Sequence, residues 1–201
     1  MPWRPRPRST AALGDAHDVH RIERLAAEFS ERGASLVKVG FAGIVDARRV
    51  DALLTAAVRG CALGDGSSGV IAVAYADAAY VPSIDAESLV DVAARSGTRG
   101  VLIDTADKSG PGLTSLWTPD QIARWVADAR SWGLLAAVAG KIGAEDFGVV
   151  RDAGADIVGV RGAACDAGRT GAVSADRVRL LRASLDAGVY DDALLTGRVS
   201  S

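Results

Sequence analysis

Five times along the chain, a short run of small and branched apolar residues leads into a loop containing Gly, Asp or Lys and then into an amphipathic helical pattern. The runs are SLVKVG (Ser35 to Gly40), GVIAVAYA (Gly69 to Ala76), GVLIDT (Gly100 to Thr105), LLAAVAG (Leu134 to Gly140) and DIVGVRG (Asp156 to Gly162). Runs without polar alternation suit strands buried on both faces of a parallel sheet. The helical patterns between them carry start signals: Asp46, Asp85, and Thr118 followed by Pro119. Gly60, Gly97, Gly133 and Gly154 are placed to end helices in a left-handed conformation. A further helix is expected from about Asp18 to Arg32, and a last one from about Ser174 to Leu185. Residues 1–17 read as an irregular segment and 188–201 as a tail, and no linker divides the chain, so 1–201 reads as one domain. Strand and helix in regular alternation is the βα series of a barrel or a doubly wound sheet.

Composition sharpens this. The 201 residues are 49% hydrophobic, enough for one substantial core, yet short of the roughly 250 typical of a complete (β/α)₈ barrel. The net charge of −2 gives no overall case for nucleic acid or an anionic membrane surface, and the locally basic start MPWRPRPRST reads as a solvated terminus. No apolar run approaches the length of a membrane span, and nothing resembles a signal peptide, so a cytoplasmic protein is expected. Cys61 and Cys165 fit no CxxC spacing. His17 and His20 have no cysteine or third histidine nearby, so they read as a solvated helix start and no metal site is expected.

In a parallel βα protein, chemistry collects at the carboxyl ends of the strands. Those ends carry Lys38 and Gly40, Tyr75 with Asp77, Asp104 with Lys108, Gly140 with Lys141, and Arg161 with Gly162. Lys38 sits between two valines. Partial desolvation there would lower a lysine pKa toward the range of a base or an imine-forming amine; alternatively the side chain snorkels out to pair with a carboxylate such as Asp104. Asp104 correspondingly either pairs with Lys38 structurally or orients it for proton transfer. Lys108, in a Gly-containing loop, can also be read as a surface lysine. Gly140 with Lys141 and Arg161 with Gly162 combine flexible backbone with positive charge after consecutive strands, which suits a phosphate, although glycine turns beside solvated cations would look the same. Asp77 joins the substrate-binding candidates through its place on the rim. There is no GxGxxG after a strand, no P-loop and no GxSxG.

Taken in order, VKVGFAG, VAYADA, LIDTADKSG, AVAGKI and DIVGVRGAAC resemble the (5-formylfuran-3-yl)methyl phosphate synthase family over about Ser9 to Leu185. The resemblance implies a TIM-type (β/α)₈ barrel and a lyase that condenses two molecules of glyceraldehyde 3-phosphate by Schiff-base, aldolase-like chemistry. Its product would serve a methanofuran-type cofactor. It implies Lys38 as proton acceptor, Asp104 and Lys108 as the acidic and second-substrate residues, and phosphate at the Gly140 and Arg161 loops. No cofactor is implied, the partner is the phosphorylated substrate, and a homo-oligomer is compatible with the pattern. The family's Schiff-base lysine lies in an Asp-x-Lys motif on an earlier strand, and no such motif precedes Ser35 here. The five βα units therefore read as the last five of eight, with the first three strands lacking. A non-catalytic phosphate-sugar binding or assembly protein is the alternative reading.

Overall fold

A computed structural model describes residues 9–195, with side chains through residue 186. Six parallel strands pair in chain order into one sheet: β1 (Thr10–Asp15), β2 (Leu36–Gly40), β3 (Gly69–Tyr75), β4 (Gly100–Asp104), β5 (Leu135–Val138) and β6 (Ile157–Val158). The helices are α1 (Val19–Glu31), α2 (Ala47–Leu63), α3 (Ala86–Arg95), α4 (Leu113–Leu116), α5 (Pro119–Ser131), α6 (Phe147–Asp152) and α7 (Ala175–Leu195). Parallel neighbours joined by helical crossovers are the signature of βα architecture.

The expected start signals act as caps. Asp46 accepts a hydrogen bond from the Arg49 N–H at 2.9 Å and Asp85 one from the Ser88 N–H at 2.8 Å. Thr118 and Gln121 form a reciprocal capping box with Pro119 in the first turn. Such caps satisfy N–H groups that the helix itself cannot.

Four differences from the sequence pattern have physical causes. The first is a sixth strand: β1 occupies part of the segment expected to be irregular and pairs Thr10 with Leu36 and Ala12 with Lys38. It lies at the sheet's edge and is only half-buried at alternate positions, so it carries no continuous apolar run. Gly14, at φ +80°, lets the register shift so that Asp15 faces Gly40. Residues 1–8 of that segment lie outside the described residues.

Second, Gly60 lies inside α2 rather than at its end. A Cβ there would fall 2.2 Å from the Glu23 carbonyl oxygen and 2.9 Å from the Ala26 Cβ, so this glycine is a close-approach point between α1 and α2. Third, β6 spans two residues, far less than the DIVGVRG run. Fourth, α7 continues to Leu195, into the segment read as a tail; residues 196–201 lie outside the described residues.

The two faces of the sheet differ. Val37, Val39, Val70, Ala72, Ala74, Val101, Ile103, Ala136 and Val138 point outward into the main core, against Leu53, Leu54, Leu89, Ile122 and Val126 of the helices. The opposite face holds a small cluster of Leu36, Ile71, Val73, Leu102 and Ala137, with Tyr75 and Ala139 packed on it. The period-two alternation of a strand puts Lys38 and Asp104 on this second face as well.

Candidate functional site

On the inner face, the carboxyl end of the sheet opens into a cavity of about 790 Å³. Lys38, Asp104, Lys108, Gly140, Lys141, Arg161 and Gly162 all border it, so seven of the eight sequence candidates meet in one place. Six cationic side chains line the cavity against two carboxylates, Asp104 and Glu145. With low-dielectric walls, that imbalance focuses a positive potential that attracts anions such as phosphate.

Lys38 extends inward from the middle of β2, half-buried, in register with Ala12 and Ile71. The expected partnership with Asp104 is not the one formed. Asp104 Oδ1 accepts from Lys108 Nζ at 2.9 Å and from the Thr105 N–H at 2.8 Å. Lys108 also donates to the Thr105 carbonyl oxygen. The pair closes within one turn of chain, a shorter and less entropically costly contact than one reaching from β4 to β2. Among the described residues, Lys38 has no ion-pair partner.

Asp77 is the candidate that stands apart. It does not line the cavity. It is buried, and its two carboxylate oxygens accept the N–H groups of Ala106 and Asp107, each at 2.8 Å. Its position two residues beyond β3 looks like that of a ligand-binding group, but its carboxylate is engaged by backbone.

The phosphate-type loops are held by backbone geometry. Gly140 adopts φ +101°, and a Cβ there would press on Leu113 Cβ at 3.1 Å and Thr105 Cγ2 at 3.3 Å. Its carbonyl oxygen accepts the Leu113 N–H at 2.9 Å, joining the β5 loop to the start of α4. Lys141 follows at φ +59°, a left-handed conformation for a residue with a Cβ, and its ammonium donates to the Gly110 carbonyl oxygen. Asp107, on the same loop, is held below the ordinary carboxylate range by hydrogen bonds from Ser109, side chain first and then backbone.

Sequence reasoning missed two parts of the site. One is the wall formed by Arg169 and by Arg177, Leu180 and Leu181 of α7. Arg177 is also paired with Asp166 at 3.3 Å. The signal was faint: an arginine in a Gly-containing loop and another in the first turn of a helix. The other is a clasp on the rim. The Tyr75 hydroxyl donates to Asp15 Oδ1 at 2.7 Å, and the Ala42 N–H donates to the same oxygen at 2.9 Å. The tyrosine reaches from β3 past β2 to β1 because Gly40 has no side chain; a Cβ there would fall 2.2 Å from the hydroxyl oxygen. Burial first, then the hydrogen bond to Asp15, pushes the phenol well above its ordinary range, so it stays protonated. Tyr75 is also the register partner of Asp104. The TAALGD run, which closes a mostly apolar stretch with an Asp as GVLID does, could have revealed Asp15.

Among the described residues, no group of three or more His, Cys, Asp or Glu side chains is placed to hold a metal ion, and no helix is long and apolar enough to cross a membrane.

With this geometry in hand, the chain can be set beside known proteins. A model of the 4-HFC-P synthase family matches residues 4–182. The (5-formylfuran-3-yl)methyl phosphate synthase of Methanopyrus kandleri is 37% identical over 155 residues, an alignment covering 76% of this chain and 65% of that protein. The enzyme of the same name from Methanothermobacter thermautotrophicus is 36% identical over 157 residues, covering 77% and 66%. The chain thus spans just under two thirds of the length of these relatives. Among solved structures, orotidine 5'-phosphate decarboxylase from Lactobacillus acidophilus aligns with a TM-score of 0.58 at 12% identity, over 88% of this chain and 75% of that one. Thiamine phosphate pyrophosphorylase from Pyrococcus furiosus aligns with a TM-score of 0.54 at 14% identity, over 87% and 69%. At such identities the likeness concerns fold alone: an α/β architecture with a six-stranded parallel sheet whose structural neighbours are TIM-barrel-like.

Proposed function

The chain belongs to the 4-HFC-P synthase family, and we propose that it works in the formation of (5-formylfuran-3-yl)methyl phosphate from two molecules of glyceraldehyde 3-phosphate, as a carbon–oxygen lyase supplying a methanofuran-type cofactor. The observation that carries this reading is the cationic cavity that brings three lysines and a carboxylate together at the carboxyl rim of a parallel sheet. Each substrate offers an aldehyde, an adjacent carbon that can lose a proton, and a phosphate. Arg161, Lys141 and the Gly140 and Gly162 backbone take the phosphates. A lysine amine condenses with one aldehyde to form an imine, which acidifies the neighbouring carbon, and Lys38 accepts the proton released there. Its freedom from an ion pair suits that role. Lys108, held by Asp104, faces the second substrate and hands protons to departing oxygens as phosphate and water are lost and the ring becomes aromatic.

The test is incubation with glyceraldehyde 3-phosphate and borohydride, reading the intact mass, the modified lysine and the furan absorbance. Furan together with a reduced adduct on a lysine supports the reading. Binding of the triose phosphate with neither adduct nor furan refutes it in favour of a non-catalytic phosphate-sugar binder.

A further inference from the structure

Asp104 and Lys108 belong to the loop that leaves β4, and that loop is tethered from a neighbouring strand. Asp77, two residues beyond β3, presents one carboxylate oxygen to the Ala106 N–H and the other to the Asp107 N–H, each at 2.8 Å. Asp77 is only 4% exposed, so both bonds are shielded from competing water. Asp77 is itself anchored, since its carbonyl oxygen accepts the N–H groups of Tyr80 at 2.8 Å and Val81 at 3.0 Å. The two strands are joined again where the Ala76 N–H donates to the Asp104 carbonyl oxygen at 2.8 Å. Within the tethered loop, Lys108 Nζ reaches Asp104 and the Thr105 carbonyl oxygen.

We propose that Asp77 is the positioning residue of this site: it fixes residues 105–107 so that Lys108 is held against Asp104 and aimed into the cavity. This rests on the reading that Lys108 and Asp104 serve the reaction, but the geometric assignment can be tested apart from turnover. A buried carboxylate that accepts two successive backbone N–H groups works as a fixed template. Neither oxygen is left to meet a substrate, and a phosphate would be repelled by it. The loop has no regular secondary structure to hold it otherwise.

The experiment compares the full chain with Asp77→Asn and Asp77→Glu. Asparagine keeps the shape but turns one acceptor into a donor facing an N–H; glutamate keeps both acceptors. Two quantities are read: amide exchange at residues 105–108, and the rate of amine acylation at Lys108 against Lys38 and Lys141, located by mass. In Asp77→Asn, exchange at 106 and 107 should accelerate. Lys108 should label about 2- to 5-fold faster as its pairing loosens, with Lys38 unchanged. Asp77→Glu should restore much of both. On a turnover-competent protein, Asp77→Asn should lower kcat roughly 10- to 100-fold with little change in KM, the pattern of misplacement rather than lost binding.

Unchanged exchange and Lys108 labelling in folded Asp77→Asn overturn the assignment, whether or not furan is made. So does loss of inorganic phosphate's protection of Lys141 with Lys108 unaffected, which would return Asp77 to ligand binding. If Asp77→Asn does not fold, the wild-type chain still decides: the Ala106 and Asp107 amides, bonded to Asp77, should exchange more slowly than the Lys108 amide, and equal exchange overturns the tether.

Discussion

The two faces of the sheet use the same strands for different ends. Toward the helices, the packed positions from β2 to β5 are apolar, from Val37 to Val138, and the core there takes in buried residues of α1 to α6. Toward the cavity the strands are apolar at Leu36, Ile71, Val73, Leu102 and Ala137, and polar at Lys38 midway along β2 and at Tyr75 and Asp104 where β3 and β4 end. The difference shows how a βα sheet separates stability from chemistry. The face that contributes most of the burial can tolerate no charge, while the other can because its charges reach solvent or one another.

Substitutions on the two faces should separate those effects. The largest is expected at Lys38. Under the proposed function, Lys38→Ala should cut turnover about 10²- to 10⁴-fold, the usual contribution of a proton-transfer group, while the melting temperature barely moves. Turnover near wild type would remove Lys38 from the reaction. On the helix side, Leu89→Ala truncates a fully buried side chain and should cost about 2–5 kcal/mol of unfolding free energy in denaturant titration. Phosphate binding by the protein that remains folded should be unaltered, and a change in it would mean that the faces are not independent.

Gly40→Ala tests the clasp where the two faces meet. The added Cβ would overlap the Tyr75 hydroxyl and the Asp15 carboxylate, which are the movable ends of side chains. The clasp should open, at about 1–3 kcal/mol, and the Tyr75 fluorescence should respond to pH at a lower value than in wild type. No movement of that titration would mean that the clasp survived.

The smallest effects are in pH. Burial raises the Cys61 thiol, on the helix side, to about 11 from 9.0, with the Asp65 charge adding to it. The unfolded chain therefore releases this proton at lower pH than the folded one does. The stability from keeping Cys61 neutral is fully present below about 9 and is lost as pH rises toward about 11. Cys61→Ala should flatten that alkaline decline. On the rim, Asp107 has the opposite sign: its pKa is depressed by Ser109, so its contribution is present above the ordinary value of about 3.9 and fades as pH falls below it. Ser109→Ala should reduce that acid-side loss.

Much of this was legible in the chain itself. Unbroken apolar runs marked β2 to β5 because strands buried on both faces need no polar alternation. Asp46, Asp85 and Thr118 marked helix starts because a cap bonds only to an N–H three residues ahead. Lys38, Lys108, Lys141 and Arg161 could be assigned to one rim because, in a parallel sheet, every strand's carboxyl end lies on the same side.

Local sequence therefore determined which runs form the buried strands, which residues lie at their carboxyl ends, and where the capped helices begin. Only the tertiary structure decided their partners. Asp104 closes on Lys108 rather than on Lys38; Asp77 turns away from the cavity to hold a loop; Tyr75 reaches Asp15 over Gly40; and α7 brings Arg177 to the site. The physical reason is range. Burial and capping act between residues a few positions apart and leave a periodic trace, whereas a contact spanning 60 residues, such as that between Asp15 and Tyr75, depends on register and close packing that no single segment encodes.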